Sequence, residues 1–238
     1  MCCFRLSKKH VKNLLVLLQD TGGGGDENKR RIHWKKWQDV AIPKCEGGMG
    51  FRDFGLFNQA MLGKQGWRLV TNPDSLCAKV LKGRYFHDSN FLFAANKRNS
   101  SHTWKAILHG KEVLKLGLVK RIKDGASIKI WEDPWIVSNH GYRPILRLPG
   151  STATKVEELM DQENGTWNME VLESNFVVPD IQAICAMPIG NLGDDVWAWE
   201  KEKHGNFTIC SAYKTLSNWV RQSDVPSTAV ATGRSFWK

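Results

Sequence analysis

Asp194 and Asp195 are the adjacent carboxylates in this sequence with the best claim to metal chemistry. Paired carboxylates can hold the two metal ions that stabilise the attacking and leaving oxygens in phosphoryl transfer. Such a pair usually lies in the turn of a hairpin between two apolar strands. Here residues 187–192 precede it and contain Pro188 and Gly190, which make a poor strand. With no partner carboxylate motif upstream, the sequence predicts an exposed turn.

Other catalytic or metal-binding patterns are equally weak. His87 and Asp88 could act as a base and its orienting carboxylate, but sequence neighbours usually point apart, so a surface pair is expected. None of the six cysteines has the C-x2-C spacing of a tetrahedral zinc site. Neither G-x-S-x-G nor H-E-x-x-H occurs. We therefore expect no catalytic residue, no metal site and no cofactor in this chain.

A segment rich in cations and indoles is the stronger chemical signal. Residues 28–37 contain five Lys or Arg side chains and two tryptophans. Cations can hold phosphates while indoles stack on bases. A solvated basic strand with both indoles buried beneath it would give the same pattern. The predicted nucleic-acid-binding residues are Lys29, Arg30, Arg31, His33, Trp34, Lys35, Lys36, Arg52, Lys64 and Arg68.

The charge of the chain is concentrated in its N-terminal half. Residues 1–125 hold 24 basic and 10 acidic side chains, a difference of +14, whereas the whole chain of 238 residues carries +10. This asymmetry favours a polyanion as partner, and RNA or an RNA–DNA duplex is the expected one. A basic surface that serves only solubility is the alternative.

Helix signals dominate the first half of the sequence. A short helix is predicted over residues 4–18, and another over 56–70, where Lys64 and Arg68 fall inside the apolar stripe. A plain core helix would segregate these cations, although their long stems can also reach out of a packed stripe. Asn72 with Pro73 indicates the start of a third helix, and Ser101 can cap a fourth ending near residue 116.

Strand signals are confined to the second half. A hairpin is predicted over 118–123 and 127–131 around Asp124-Gly125, and a second over 195–201 and 207–210. A helical turn over 156–160, a helix over 167–176 and a helix capped by Ser211 complete the pattern. The expected fold class is α+β, with a helical N-terminal part followed by a mixed region containing two β-hairpins and short helices.

The hydropathy of the sequence argues against membrane-spanning helices. No run reaches the roughly 18 apolar residues that a membrane-spanning helix requires. The apolar run 14–18 is too short for the core of a signal peptide. We expect an intracellular protein, nuclear or cytoplasmic and not secreted, with no membrane partner. Its oligomeric state is left open.

An ordered series of motifs resembles plant LINE-type (non-LTR) retrotransposon reverse transcriptases, just after the polymerase palm. The most specific blocks are Glu46-Gly47-Gly48-Met49-Gly50-Phe51 and Trp131-Glu132-Asp133-Pro134-Trp135. Further blocks follow the same order and cover most of the chain: residues 32–34, 37, 43–44, 52–53, 57–60, 64–65, 67–69, 101–104, 125–128, 165–168, 195–199, 205–208 and 211–214.

The resemblance implies a domain layout. Residues 1–98 would correspond to the basic, thumb-like helical region that holds a template–primer duplex, and 99–204 to a connecting α+β region. Residues 205–238 would be the truncated start of a reverse-transcriptase zinc-binding domain. The zinc ligands would lie beyond Lys238 and the palm carboxylates before Met1, and ribonuclease H domains often follow in such proteins. The chain is therefore expected to be a fragment without polymerase or ribonuclease H activity.

Three functions are consistent with these patterns. The first is a noncatalytic reverse-transcriptase fragment that binds nucleic acid through its basic half. The second is a host protein-interaction module that uses exposed tryptophans. The third is a nonfunctional transposon relic that folds poorly without its neighbouring domains.

Overall fold

The computed structural model describes residues 3–21, 44, 49–138, 141–161, 164–190 and 193–224. Within these ranges the chain forms seven α-helices and two antiparallel sheets of two strands each, which confirms the α+β class. The helices are α1 (Lys8–Thr21), α2 (Phe54–Thr71), α3 (Leu76–Tyr85), α4 (His102–Leu114), α5 (Met169–Asn175), α6 (Val178–Cys185) and α7 (Ile209–Asp224), and the strands are β1 (Leu118–Arg121), β2 (Met160–Asp161), β3 (Thr166–Trp167) and β4 (Val196–Trp199).

Side-chain caps fix where the N-terminal helices begin. The Asp53 carboxylate accepts from the N–H of Leu56 at 2.8 Å and starts α2. Ser101 caps α4 in the same way, as predicted. The predicted start at Asn72 is wrong, because the N–H of Asn72 closes the end of α2 and Ser75 caps α3 instead.

Helices α2, α4 and α7 enclose the first apolar core. Helices α2 and α4 approach closely where Gly63 faces Gly110, since a Cβ on Gly110 would lie 2.3 Å from the Leu62 carbonyl carbon. The N–H of Asp53 donates to the Tyr213 hydroxyl at 2.9 Å and joins α2 to α7. A bulky residue at either glycine would force the helices apart.

Stacked aromatic rings fill this first core. The buried Trp104 indole lies 4.5 Å from the ring of Tyr85 and 5.5 Å from that of Phe86, stacked on both. On the other side, Phe207 stacks on Trp67 with centroids 6.0 Å apart. Two of the eleven tryptophans are thus used as core residues here, because indoles supply large apolar area for burial.

Strand β1 pairs with β4 rather than with its neighbour in sequence. The register joins Leu118 to Trp199 and Arg121 to Val196. The predicted hairpin around Asp124-Gly125 is therefore wrong, and Lys129 instead bridges Lys155. The carboxylate of Asp195, directly before β4, accepts the N–H groups of Lys123, Gly125 and Ser127 and so holds this loop beside β4.

The second predicted hairpin is also wrong. Strand β4 ends at a tight turn in which the N–H of Trp199 donates to the Gly205 carbonyl at 2.7 Å, and Phe207 enters the first core instead of a strand. Ser211 lies inside α7 rather than capping it. Its N–H donates to the Thr208 hydroxyl at 3.1 Å, so the helix begins earlier than predicted.

A second apolar core lies in residues 122–187. Its buried members include Ile130, Trp135 and Phe176, with the rings of Trp135 and Phe176 edge to face at 6.3 Å. Strands β2 and β3 form a hairpin beside it. The predicted helical turn at 156–160 and helix at 167–176 are confirmed as a 3-10 helix, Val156–Leu159, and as α5.

The two cores divide the chain differently from the three regions that the resemblance implies. The first core takes residues from all three, for example Trp67, Trp104 and Phe207. The boundaries at 98/99 and 204/205 come from the resemblance to reverse transcriptases, and they remain a prediction. Among the described helices, none combines the length and apolarity needed to cross a membrane.

Candidate nucleic-acid interface

The predicted binding residues fall into two groups. Seven of them, in the segment rich in cations and indoles, lie outside the described residues, and their role stays a prediction: Lys29, Arg30, Arg31, His33, Trp34, Lys35 and Lys36. The other three lie on α2 or directly before it. Only these three can be placed against the fold.

Arg52 and Arg68 are exposed at opposite ends of α2. The Arg52 guanidinium carbon lies 4.9 Å from the centroid of the Phe57 ring, and Arg68 Nη1 lies 3.4 Å from Gln65 Oε1. A helical rise of 1.5 Å per residue puts the two positions roughly 24 Å apart. The structure therefore presents two separate exposed cations here and not one converging pocket.

Lys64 is held inside the fold. Its Nζ donates to the Phe207 carbonyl at 2.7 Å and lies 6.0 Å from the centroid of the Phe207 ring. This contact ties the middle of α2 to the segment that leads into α7. Lys64 therefore has a structural role. Its long stem packs within the apolar stripe of α2 while its charged end reaches a hydrogen-bond partner.

Further cations extend the basic surface beyond the predicted residues. Residues 49–125 contain 14 basic and 5 acidic side chains. The exposed cations of α3, the following loop and α4 are Lys79, Lys82, Arg84, Lys97, Arg98 and Lys105. None of these cations belongs to a recognisable sequence motif. Only the net positive charge of residues 1–125 indicated that they could contribute.

Arg84 has a defined place at the end of α3. Its guanidinium carbon lies 5.6 Å from the centroid of the Tyr85 ring. The Tyr85 hydroxyl donates to Ser101 Oγ at 3.0 Å, which joins α3 to the start of α4. Hydrogen bonding with Ser101, whose N–H also donates to the Tyr85 hydroxyl, lowers the pKa of Tyr85 against the effect of burial, and the nearby Arg84 charge lowers it further. The aromatic core thus fixes a cation beside the first turn of α4.

Asp194 and Asp195 differ in their surroundings. Asp194 is exposed, as expected of a turn, but Asp195 is half-buried and accepts four hydrogen bonds from the loop after β1. Burial acts to raise the pKa of Asp195, yet bonds from Lys123, Ser127 and Gly125 outweigh it and lower that pKa. The exposed-turn prediction is wrong for Asp195, which is a structural acceptor.

His87 and Asp88 form the predicted surface pair. His87 Nε2 lies 2.6 Å from Asp88 Oδ2, and their side chains are 60% and 85% exposed. Water competes with such a contact, so it is worth little. In the part of the chain that the structure describes, no group of three or more His, Cys, Asp or Glu side chains could hold a metal ion.

Comparison with known proteins finds relatives of this chain in a plant. It is 40% identical over 146 residues to the "Uncharacterized mitochondrial protein AtMg00310" of Arabidopsis thaliana, and this match covers 95% of that protein and 61% of the chain. The chain belongs to the family of that mitochondrial protein. No known family model matches it, and no solved structure does either.

A second relative is much longer. The chain is 28% identical over 207 residues to the "Putative ribonuclease H protein At1g65750" of Arabidopsis thaliana, a match that covers 82% of the chain. The matched region spans only 32% of that protein. Most of the chain therefore corresponds to one part of a larger protein.

Proposed function

We propose that this chain is a noncatalytic piece of a LINE-type retrotransposon reverse transcriptase that binds RNA or an RNA–DNA duplex through its basic N-terminal half. The charge of that half is the observation that carries the proposal, with 24 basic against 10 acidic side chains in residues 1–125. Each phosphate that these cations neutralise releases counterions and adds salt-dependent affinity.

The retroelement origin rests on the order of the sequence motifs and on the longer relative. That relative is named for ribonuclease H, and the chain spans about a third of its length. In LINE-type proteins a ribonuclease H domain often follows the region that the motifs resemble. Both observations support the proposal that this chain corresponds to a region next to a nucleic-acid enzyme and not to the enzyme itself.

The packing of the first core supports a thumb-like role. Helices α2 and α4 pack closely at Gly63 and Gly110, while α3 and the loop after it carry exposed cations such as Lys82, Arg84 and Arg98. A helical support with cations on its surface suits a nucleic-acid backbone, because phosphate contacts need charge more than exact side-chain geometry.

The alternative of a protein-interaction module has less support. Among the tryptophans in the described ranges, Trp219 is the exposed one, at 54%, while the others are buried or half-buried. Interfaces are enriched in exposed aromatic anchors. Within the described ranges, one exposed indole gives this alternative little aromatic surface to rest on.

Direct binding of the full chain to a labelled RNA–DNA duplex tests the proposal. Fluorescence anisotropy at about 50 mM and about 200 mM salt should give an affinity that falls by roughly 10³ or more if at least six phosphates are contacted. Absence of binding at both salts would exclude the function. A noncooperative thermal melt of the same sample would instead favour a relic that folds poorly.

A further inference from the structure

A cleft of about 880 Å³ lies between the end of α4 and the loop around Tyr142. Its walls come from both halves of the fold: Leu92 and Leu114 on one side, Pro134 and Pro144 on the other. The size is within the range of about 300–1,000 Å³ usual for ligand sites. Its rim is open, since Phe93 and Ile145 are 54% and 50% exposed.

The charged side chains that line the cleft are all cations. Lys111, Lys115 and Arg143 line it, and its lining residues include no Asp or Glu, all of them being within the described ranges. Lys115 is partly neutralised by Glu112 at 2.7 Å. The remaining excess of positive charge favours an anionic occupant.

Lys111 is unusual among these cations because it is buried, with 8% of its surface exposed. Its Nζ donates to the carbonyls of Ala94 at 2.7 Å and Leu92 at 3.0 Å. An ammonium group has three donors, so these carbonyls use two of them. Burial lowers the pKa of Lys111, and the nearby Lys115 charge lowers it further. An anion in the cleft would favour the charged form of this group.

Aromatic rings provide the apolar part of the cleft. Phe93 stands at the rim, and Tyr142 is held in place because its hydroxyl donates to the Leu116 carbonyl at 3.2 Å and also lies 3.2 Å from Glu200 Oε2. A fixed ring and an exposed ring beside cations suit a planar group attached to a phosphate. An open rim suits one unit of a polymer, which enters and leaves the cleft.

We propose that this cleft binds one unpaired nucleotide of a single-stranded nucleic acid, with its base against Phe93 and Tyr142 and its phosphate at Lys115 and Arg143. The inference rests on the proposed function. It adds a site that binds single strands because a base stacks on the aromatic rings of the cleft. Stacking of this kind tolerates any base, because every base has an aromatic face.

The experiment compares variants of the full chain by anisotropy with two labelled probes, a single-stranded oligonucleotide and an abasic strand of equal length. Phe93→Ala should weaken binding of the base-containing strand about 5- to 150-fold and leave the abasic strand unchanged. Arg143→Gln should weaken both strands and lower the salt slope by about 0.7. Thermal melting confirms that each variant folds.

Two variants outside the cleft serve as controls. Lys214→Gln removes an exposed charge from α7, away from the basic half, and Leu76→Ala removes an exposed apolar side chain; neither residue lines the cleft. If Phe93→Ala matches Leu76→Ala and Arg143→Gln matches Lys214→Gln, the cleft is not the site. The proposed function would survive that result if the wild-type chain still binds duplex in a salt-dependent way. A wild-type chain that binds neither duplex nor single strand would overturn both.

Discussion

One carboxylate oxygen of Asp195 holds Ser127 twice, accepting from its backbone N–H at 3.1 Å and from its hydroxyl at 2.8 Å. The other oxygen accepts from the N–H groups of Lys123 and Gly125. Gly125 has a φ of +71°, and a Cβ there would lie 2.7 Å from the Glu157 nitrogen. Asp195 thus fastens the loop after β1 to the start of β4 and against the second core.

Replacing Asp195 with Asn should destabilise the chain by about 1–3 kcal/mol. An amide has one acceptor oxygen, and its NH2 group would face N–H donors that lose their partner. Urea unfolding of the full chain measures the difference. Asp194→Asn is the matched control and should stay within about 0.5 kcal/mol, since Asp194 is exposed. Equal losses in both variants would mean that Asp195 is not the fastening group.

The stabilising effect of Asp195 should depend on pH in one direction. Its pKa is lowered in the folded chain, so the effect is fully present above the unfolded value of about 3.9. It is lost as pH falls through the lower folded pKa. The stability gap between wild type and Asp195→Asn should therefore narrow in acid. A gap that widens below pH of about 4 would contradict this assignment.

Gly110→Ala should be strongly destabilising, by about 1–3 kcal/mol. The added Cβ would lie 2.5 Å from the Leu62 carbonyl oxygen and 2.6 Å from the Gly63 nitrogen, and rigid backbone cannot yield as a side chain does. Gly83→Ala on α3 is the control, because beyond its chain neighbours and the surrounding backbone of α3 no heavy atom lies within 4 Å of its Cβ position. That variant should be stabilised by about 0.5–1 kcal/mol. Thermal melts of both variants decide the matter, and a tolerated Gly110→Ala would refute the close helix contact.

Lys64→Met should cost about 1–2 kcal/mol of stability, because it removes the donor to the Phe207 carbonyl while keeping most of the stem. Arg68→Met lies one turn further along α2, where the side chain is exposed, and should leave stability within about 0.5 kcal/mol. The comparison uses the midpoints of denaturant unfolding, measured for variants whose free energies of unfolding depend equally steeply on denaturant concentration. Equal midpoints in the two variants would show that the Lys64 contact contributes nothing.

The helices were predictable because their signals are local. The Ser101 hydroxyl caps α4 by accepting a hydrogen bond from the N–H of Trp104, three residues later. Both partners are therefore visible in a short stretch of sequence. The apolar spacing of residues 56–70 likewise identified α2. Asn72 failed as a cap because it closes the end of α2, and the first N–H groups of α3 come later, where the Ser75 hydroxyl accepts from the N–H of Ala78.

The strand pairings were not predictable from local pattern. Asp124-Gly125 is a strong turn signal, yet its loop is held by Asp195, about 70 residues away in the chain. A turn motif fixes the loop conformation but not the partner of the strand that precedes it. Long-range hydrogen bonds decided that β1 pairs with β4.

The candidate site was predictable only in part. Net charge identified the basic half. The helical spacing put Arg68 inside the apolar stripe of α2, whereas the structure exposes its side chain and that of Arg52. The cleft between α4 and Tyr142 carried no sequence signal, because Phe93, Lys111 and Arg143 are far apart in the chain and meet only through packing.

The salt dependence of duplex binding by a charge-removal variant tests the central claim most directly. In the full chain, Arg30, Arg31, Lys35 and Lys36 are replaced together by Gln. The control is the same number of Lys→Gln changes in the acidic half, at Lys129, Lys155, Lys203 and Lys214. The first variant should flatten the slope of log affinity against log salt by up to about 3.6, at roughly 0.9 per phosphate contact, and the control should leave it unchanged. Equal slopes in wild type and the first variant would contradict nucleic-acid binding by this segment.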